Sequence, residues 1–304
     1  MLSWSREHNI RMKTKIKMRK NITVLVLALV SFTGFSQEND QQTESNIRTF
    51  TPSKLLNKGQ WDIKWFNNLY TETKGTFNRV KADKPRETYF TSTIDVFTGL
   101  SETSSFNLGL LIEMRSNVVA GRDALDVFKF DGENGTARSG FTSIAPAIKF
   151  NPIKNVGNFT LQTAFHIPLV SDESSNGVFL DQTAFTFQNR FFYDYTFPSG
   201  DWQLFTELNT EYNFGEEDSF ANETFVLVPG VFLSYFPSNE FTVLGFVQHQ
   251  QRFGDFTQDY TALGFGGKYQ LTKELNLEVL YSNFVRGSNT GLGQSFNIGL
   301  RALF

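Results

Sequence analysis

From residue 60 to the C-terminus the chain repeats one device, a run of alternating apolar and polar residues closed by turn chemistry. Twelve such runs can be counted: 60–73, 88–100, 105–118, 140–150, 159–168, 182–197, 202–214, 224–236, 241–251, 260–271, 275–285 and 295–304. A strand points successive side chains to opposite faces, so each run carries one apolar and one polar face. None has helical spacing. The connections alternate too. After the even runs they are short (101–104, 151–158, 198–201, 237–240, 272–274), and after the odd runs they are mostly longer and polar, the largest being 119–139. Short turns at one end, long loops at the other and an even strand number are the pattern of a barrel that crosses a membrane. A soluble two-sheet sandwich has no reason to sort its loops in this way. The expectation is an all-β, twelve-stranded antiparallel up-and-down transmembrane β-barrel with both termini on the short-turn, periplasmic side.

Composition agrees once the alternation is known. The 304 residues include 34 phenylalanines and no cysteine, yet mean hydropathy is −0.28. One face of each strand belongs to lipid and the other to water. No stretch approaches the roughly 18 apolar residues a membrane helix needs. Without cysteine there is no disulfide, thiolate metal site or lipid-anchored N-terminal Cys.

Residues 1–36 read as a cleaved signal peptide: Lys13, Lys15, Lys17, Arg19 and Lys20 precede an apolar core at 22–30 and small residues up to Ser36. Met12 and Met18 are alternative starts. Residues 37–59 then form a periplasmic N-terminal segment, a possible plug, with a short helix expected at 52–57 behind Thr51 as N-cap. Residues 60–304 form the barrel. Removing the leader leaves 28−7=21 basic against 31−1=30 acidic residues, or −9. That balance argues against nucleic acid as a partner.

On the apolar faces, the residue nearest the short-turn end is repeatedly aromatic: Trp61, Phe150, Phe159, Phe197, Trp202, Tyr235, Phe241, Tyr269 and Phe304. These are expected to form an interfacial girdle against outer-membrane lipid and lipopolysaccharide. The polar faces carry eight acidic and six basic residues, among them Asp95, Glu113 and Arg115. This near balance excludes the basic ladder of an anion-selective pore. Counting residues back from the turns places Lys268 opposite Glu278, Glu278 opposite Arg301, and Arg190 diagonal to both Glu207 and Glu211. Two charge networks are therefore expected on the inner wall, Lys268–Glu278–Arg301 and Arg190–Glu207/Glu211. They either stiffen a narrow barrel or form a constriction that selects small polar or zwitterionic solutes. Inward Phe66, Tyr70, Phe97, Phe192, Phe205 and Phe232 narrow the lumen further.

The last eight residues, from Asn297 through Gly299 to Phe304, resemble the C-terminal signal of outer-membrane barrels, with Ala302 departing from the usual bulky residue. The resemblance implies recognition by the barrel-assembly machinery during insertion. The leader's end, Gly34-Phe35-Ser36-Gln37, is similar to export signals of Bacteroidota. Gly99-Leu100-Ser101-Glu102 and residues 140–152 and 291–304 resemble outer-membrane proteins associated with the phenol meta-cleavage pathway, a family regarded as transporter-like.

Two readings of function follow: a narrow pore or transporter for small solutes, or a non-transporting accessory barrel of a larger complex. A lipid-modifying enzyme is a third. His249 has lipid-facing parity near a loop end, but no serine on the facing part of the tenth run answers it. His166 points inward as a hydrogen-bonded lumen residue, and two isolated histidines build no conventional metal site, so neither metal nor cofactor is expected. Asp131-Gly132-Glu133-Asn134-Gly135 lacks the later glutamate of a calcium loop. Glu216, Glu217 and Asp218 form an acidic loop with a possible role in divalent-ion binding. Lys74, Arg79, Lys81, Lys84 and Arg86 form a basic first loop suited to lipid phosphate.

Overall fold

The computed structural model describes residues 46–49, 51–153, 155–215 and 219–304. The expected leader and Glu216, Glu217 and Asp218 lie outside the described residues. Twelve strands form one closed sheet: β1 (Trp61–Phe77), β2 (Val80–Gly99), β3 (Phe106–Val118), β4 (Ala137–Phe150), β5 (Phe159–Pro168), β6 (Phe185–Thr196), β7 (Trp202–Phe214), β8 (Thr224–Tyr235), β9 (Phe241–Phe253), β10 (Gln258–Gln270), β11 (Leu275–Ser288) and β12 (Gln294–Leu303). Each pairs antiparallel with its chain neighbours, and β12 closes on β1 from Asp62 opposite Leu303 to Thr71 opposite Gln294. Closure pairs both edges of each strand within the barrel wall, and the β1–β2 hairpin continues past it to Phe77 opposite Val80. Among the described residues no helix is long and apolar enough to cross a membrane.

The outer face is built for lipid. Its middle carries exposed Val231, Val243, Leu263, Phe265, Val279 and Ile298. The nine aromatics read as a girdle stand at the short-turn ends of their strands. Trp202 lies opposite Tyr235 with ring centroids 4.8 Å apart, Phe241 lies opposite Tyr269, and Trp61 and Phe304 exchange backbone hydrogen bonds. A second aromatic band, not read from the sequence, borders the other end. There Phe165 packs on Phe185, Tyr212 on Phe214 and Phe225 on Phe253, at 4.7 to 6.5 Å between centroids.

Three expectations are corrected. First, β1 and β2 run past residues 73 and 88 to a tight turn at Asn78–Arg79, both at positive φ (48° and 66°) as a two-residue hairpin of this twist requires. Of the basic first loop only Arg79 stays in a turn. Lys84 is held at 2.5 Å from Glu72 and 2.7 Å from Glu87. Second, residues 52–57 are not helical. A four-residue helix, α1 (Asn46–Thr49), precedes them. The Thr51 hydroxyl bonds the Ser53 hydroxyl and the Asp194 carboxylate instead of capping a helix. Third, connections at the long-loop end are unequal: 78–79, 254–257 and 289–293 are short.

The two largest loops fold back on the barrel. Residues 119–136 pack outside β2 and β3, where a 3₁₀ turn (Ala124–Lys129) buries Val127 against Phe90, Val118 and Ala137. Residues 169–184 turn inward. Asn117 of β3 donates to the carbonyls of Phe179 and Leu180, and Arg115 meets Asp181 at 2.9 Å.

Candidate functional site: the barrel lumen

Inward parity collects the polar faces around a central cavity of about 660 Å³. Its wall is uneven. Along β7, β8 and β9 it is a shelf of rings continued from Phe192 of β6. Phe192 stacks on Phe205 (6.1 Å), Phe205 tilts onto Phe232 (5.5 Å), and Phe232 stacks on Phe246 (5.1 Å). Nearer the long loops, Phe284 stacks on Tyr260 at 4.2 Å and contacts Tyr70 at 4.7 Å. Some rings lie flat because their cross-strand partner is glycine. Phe246 faces Gly264, where a Cβ would overlap the ring, and Phe97 lies on Gly109 in the same way.

The rest of the wall is charged, as is the edge of the shelf at β6 and β7, and these charges are mostly paired. Lys268 meets Glu278 at 2.8 Å across β10 and β11. Arg190 reaches diagonally from β6 to Glu207 on β7, also at 2.8 Å. Glu211 accepts from Gln188 (3.0 Å) and Asn209 (2.8 Å) instead of joining that bridge. Arg301 makes a two-pronged bridge to Asp62, both bonds 2.7 Å. The expected Glu278–Arg301 opposition is corrected by register: Glu278 lies opposite Gly299, and Arg301 lies opposite Asn276 on one side and Lys64 on the other. Asp62 had no place in the expected network. Finding it required knowing how β1 meets β12.

Glu113, Arg115 and His166 come together at the long-loop end around a smaller cavity of about 120 Å³. Arg115 bridges Glu113 at 2.7 Å and Asp181 of the inward loop, and His166 Nε2 lies 3.4 Å from Gln188 Oε1. Burial pushes the Asp181 carboxyl up to about 6, against the pull of Arg115. Asp95 stands on β2 opposite Lys64, between the central cavity and a third of about 90 Å³ at the short-turn end. On the outer wall, His249 Nδ1 lies 2.9 Å from Thr261 Oγ1, its cross-strand partner. Among the described residues no group of three or more His, Cys, Asp or Glu side chains is placed to hold a metal.

The segment before β1 follows the inner wall at the short-turn mouth for half the circumference. Arg48 donates to the carbonyls of Phe236 and Ser238, Thr51 to Asp194, and Thr160 to the Ser53 carbonyl. Leu56 exchanges two hydrogen bonds with the Asn107 side chain, while its own side chain is buried with Phe97, Leu111 and Leu303 on a floor of Ala145, Ala147 and Ala164. Ile47, Thr51 and Pro52 thereby form part of the wall of the central cavity.

A closed twelve-stranded barrel with an apolar belt outside and a polar, ring-lined interior defines an integral outer-membrane β-barrel. The chain belongs to the family described as "Putative MetA-pathway of phenol degradation", whose profile matches residues 77–300. Among solved structures it is similar to an outer-membrane channel from Pseudomonas putida F1, with TM-score 0.64, 10% identity, and coverage of 88% of this chain and 100% of that one. It is also similar to the β domain of the Bordetella autotransporter BrkA, with TM-score 0.54, 13% identity, and coverage of 80% and 99%. At these identities the likeness is one of fold. No curated protein matches the chain in sequence.

Proposed function

We propose that the protein is a narrow outer-membrane pore for small solutes, with both termini on the periplasmic side. The observation that carries this reading is the central cavity of about 660 Å³, which is lined by rings on one arc and paired charges on the other. A dry structural barrel would fill that space with packed side chains. The mixed wall suits small solutes with both apolar and polar parts, and the family's description and the Pseudomonas putida channel support the same reading. The reading is not enzymatic, in keeping with the channel likeness of the fold.

One observation favours the second reading, a barrel that serves a larger complex without conducting: residues 46–49 and 51–60 line the short-turn mouth. Planar-bilayer recording of the purified protein separates the two. The pore reading expects discrete conductance steps in KCl, larger in a variant lacking residues 46–55. A barrel silent in both forms overturns it.

A further inference from the structure

The charges of the short-turn cavity do not all find partners. Five basic and three acidic side chains line this space of about 90 Å³, and Glu207 on Arg190 brings the acids to four. Arg301 is taken by Asp62, Lys268 by Glu278 and Arg190 by Glu207. Lys64 stands opposite Asp95. That leaves Lys149. It is only 7% exposed and forms no ion pair among the described residues, and its ammonium sits 5.7 Å from the Phe97 ring centre and 5.4 Å from that of Phe192.

A second donor beside it is also unused. Gln162 is directly opposite Lys149 on β5 and is 4% exposed, and its Nε2 has no hydrogen-bond partner among the described residues. Arg190 follows Gln162 in the same cross-strand row. A buried amide N–H and a buried ammonium that lack acceptors are costly unless something supplies one. Two such donors side by side, in a cavity with one surplus positive charge, ask for a single anionic acceptor. The small cavity is too tight for more than a head group. It shares Lys64, Asp95 and Arg190 with the central cavity, where Phe205 and Phe232 of the ring shelf line the wall.

We propose that Lys149 and Gln162 form a binding site for the carboxylate of a small aromatic acid, whose ring rests on Phe205 and Phe232 of the shelf. The carboxylate accepts from Lys149 Nζ and Gln162 Nε2, and the ring gains the stacking contact that the shelf offers. The inference rests on the pore reading, because the acid reaches the site through the lumen.

Titration calorimetry of the purified full-length protein in detergent tests it, with benzoate, benzylammonium and acetate as probes. Benzoate is expected to bind, and the other two at least about tenfold more weakly, since benzylammonium carries the opposite charge and acetate lacks the ring. Lys149→Gln should weaken benzoate about tenfold, the loss expected for one charge-assisted hydrogen bond, while Lys149→Arg retains binding and shows that the barrel still folds. Gln162→Leu should give a smaller loss. Absence of benzoate binding, equal binding of benzylammonium, or an unchanged Lys149→Gln overturns the site. Single-channel recording separates this from failure of the pore reading. A protein that conducts KCl without interruption by benzoate overturns the site alone, and a silent barrel that binds benzoate overturns the pore alone.

Discussion

The two arcs of the lumen wall solve one problem by different means. Along β10–β12 and β1–β6, ionic side chains face a confined space, and the Lys268–Glu278, Arg301–Asp62 and Arg190–Glu207 bridges each tie one strand to its neighbour. The last of them reaches the first strand of the ring arc, β7. Along β7–β9 the wall is aromatic, and it stays open because rings lie flat on glycine or on each other. The charged arc couples strands through interactions that are severe when halved, because the surviving partner is left in a poorly solvated place. The ring arc couples them through contacts that degrade gradually. The first should govern stability and the second passage.

The sharpest break of this contrast is at Asp62 and Arg301, whose side chains are 13% and 16% exposed. Arg301→Met alone should cost about 3–5 kcal/mol, because Asp62 keeps its charge without its partner. The double variant Asp62→Leu/Arg301→Met should return to within about 1 kcal/mol of the parent, because no charge is then stranded. Urea unfolding in lipid vesicles measures both. Equal losses in the single and double variants would mean that the bridge itself, not the stranded charge, carries the stability.

At the edge of the ring arc the matching break is Gly264→Leu, on the β10 glycine that faces Phe246 of β9. Any Cβ there overlaps the Phe246 ring, so the shelf must shift into the lumen. The expected cost is about 1–3 kcal/mol, with reduced single-channel conductance. Gly245→Ala is the control, because its Cβ would meet nothing closer than 3.9 Å. It should leave conductance unchanged.

The inward loop sharpens the comparison through pH. Asp181 titrates near 6 in the folded protein against an ordinary 3.8. Because the folded state holds the proton more tightly, its contribution is fully present below pH 4 and is lost as pH rises through 6. Asp181→Asn should remove that fall. Unfolding midpoints compared at pH 4 and pH 7 check it, and a parent and variant with the same pH dependence would exclude Asp181 as the cause.

What could be read from the sequence followed the reach of each interaction. Strand number, parity and the Lys268–Glu278 and Arg190–Glu207 bridges depend on tight turns, where counting residues fixes the register. Arg301 escaped because β12 has two masters. Its register on β11 passes through the irregular connection at 289–293, where Leu292 donates to the Lys74 carbonyl and Phe284 to that of Gly293. Its register on β1 is set only when the barrel closes. That closure slides Arg301 away from Glu278 and onto Asp62. Lys149 and Gln162 escaped for a different reason. Each is an ordinary polar-face residue, and what marks them is the absence of a partner, which only the assembled wall reveals.

The smallest stability effect should accompany a clear change in passage. Phe232 is half-buried in the middle of the shelf, with Phe205 at 5.5 Å on one side and Phe246 at 5.1 Å on the other. Phe232→Ala removes two ring contacts on a wall already open to the lumen, so only about 1 kcal/mol should be lost. The gap opens onto the central cavity, and its outer side is closed by the backbone of β8 rather than by a second layer of side chains. Space opened there adds to the conducting cross-section. KCl conductance should therefore rise, while the advantage of phenol over glycerol in liposome swelling should fall because the shelf is interrupted. A variant that conducts better and still favours phenol would show that the rings only narrow the lumen, and that discrimination among neutral solutes arises at the charged arc.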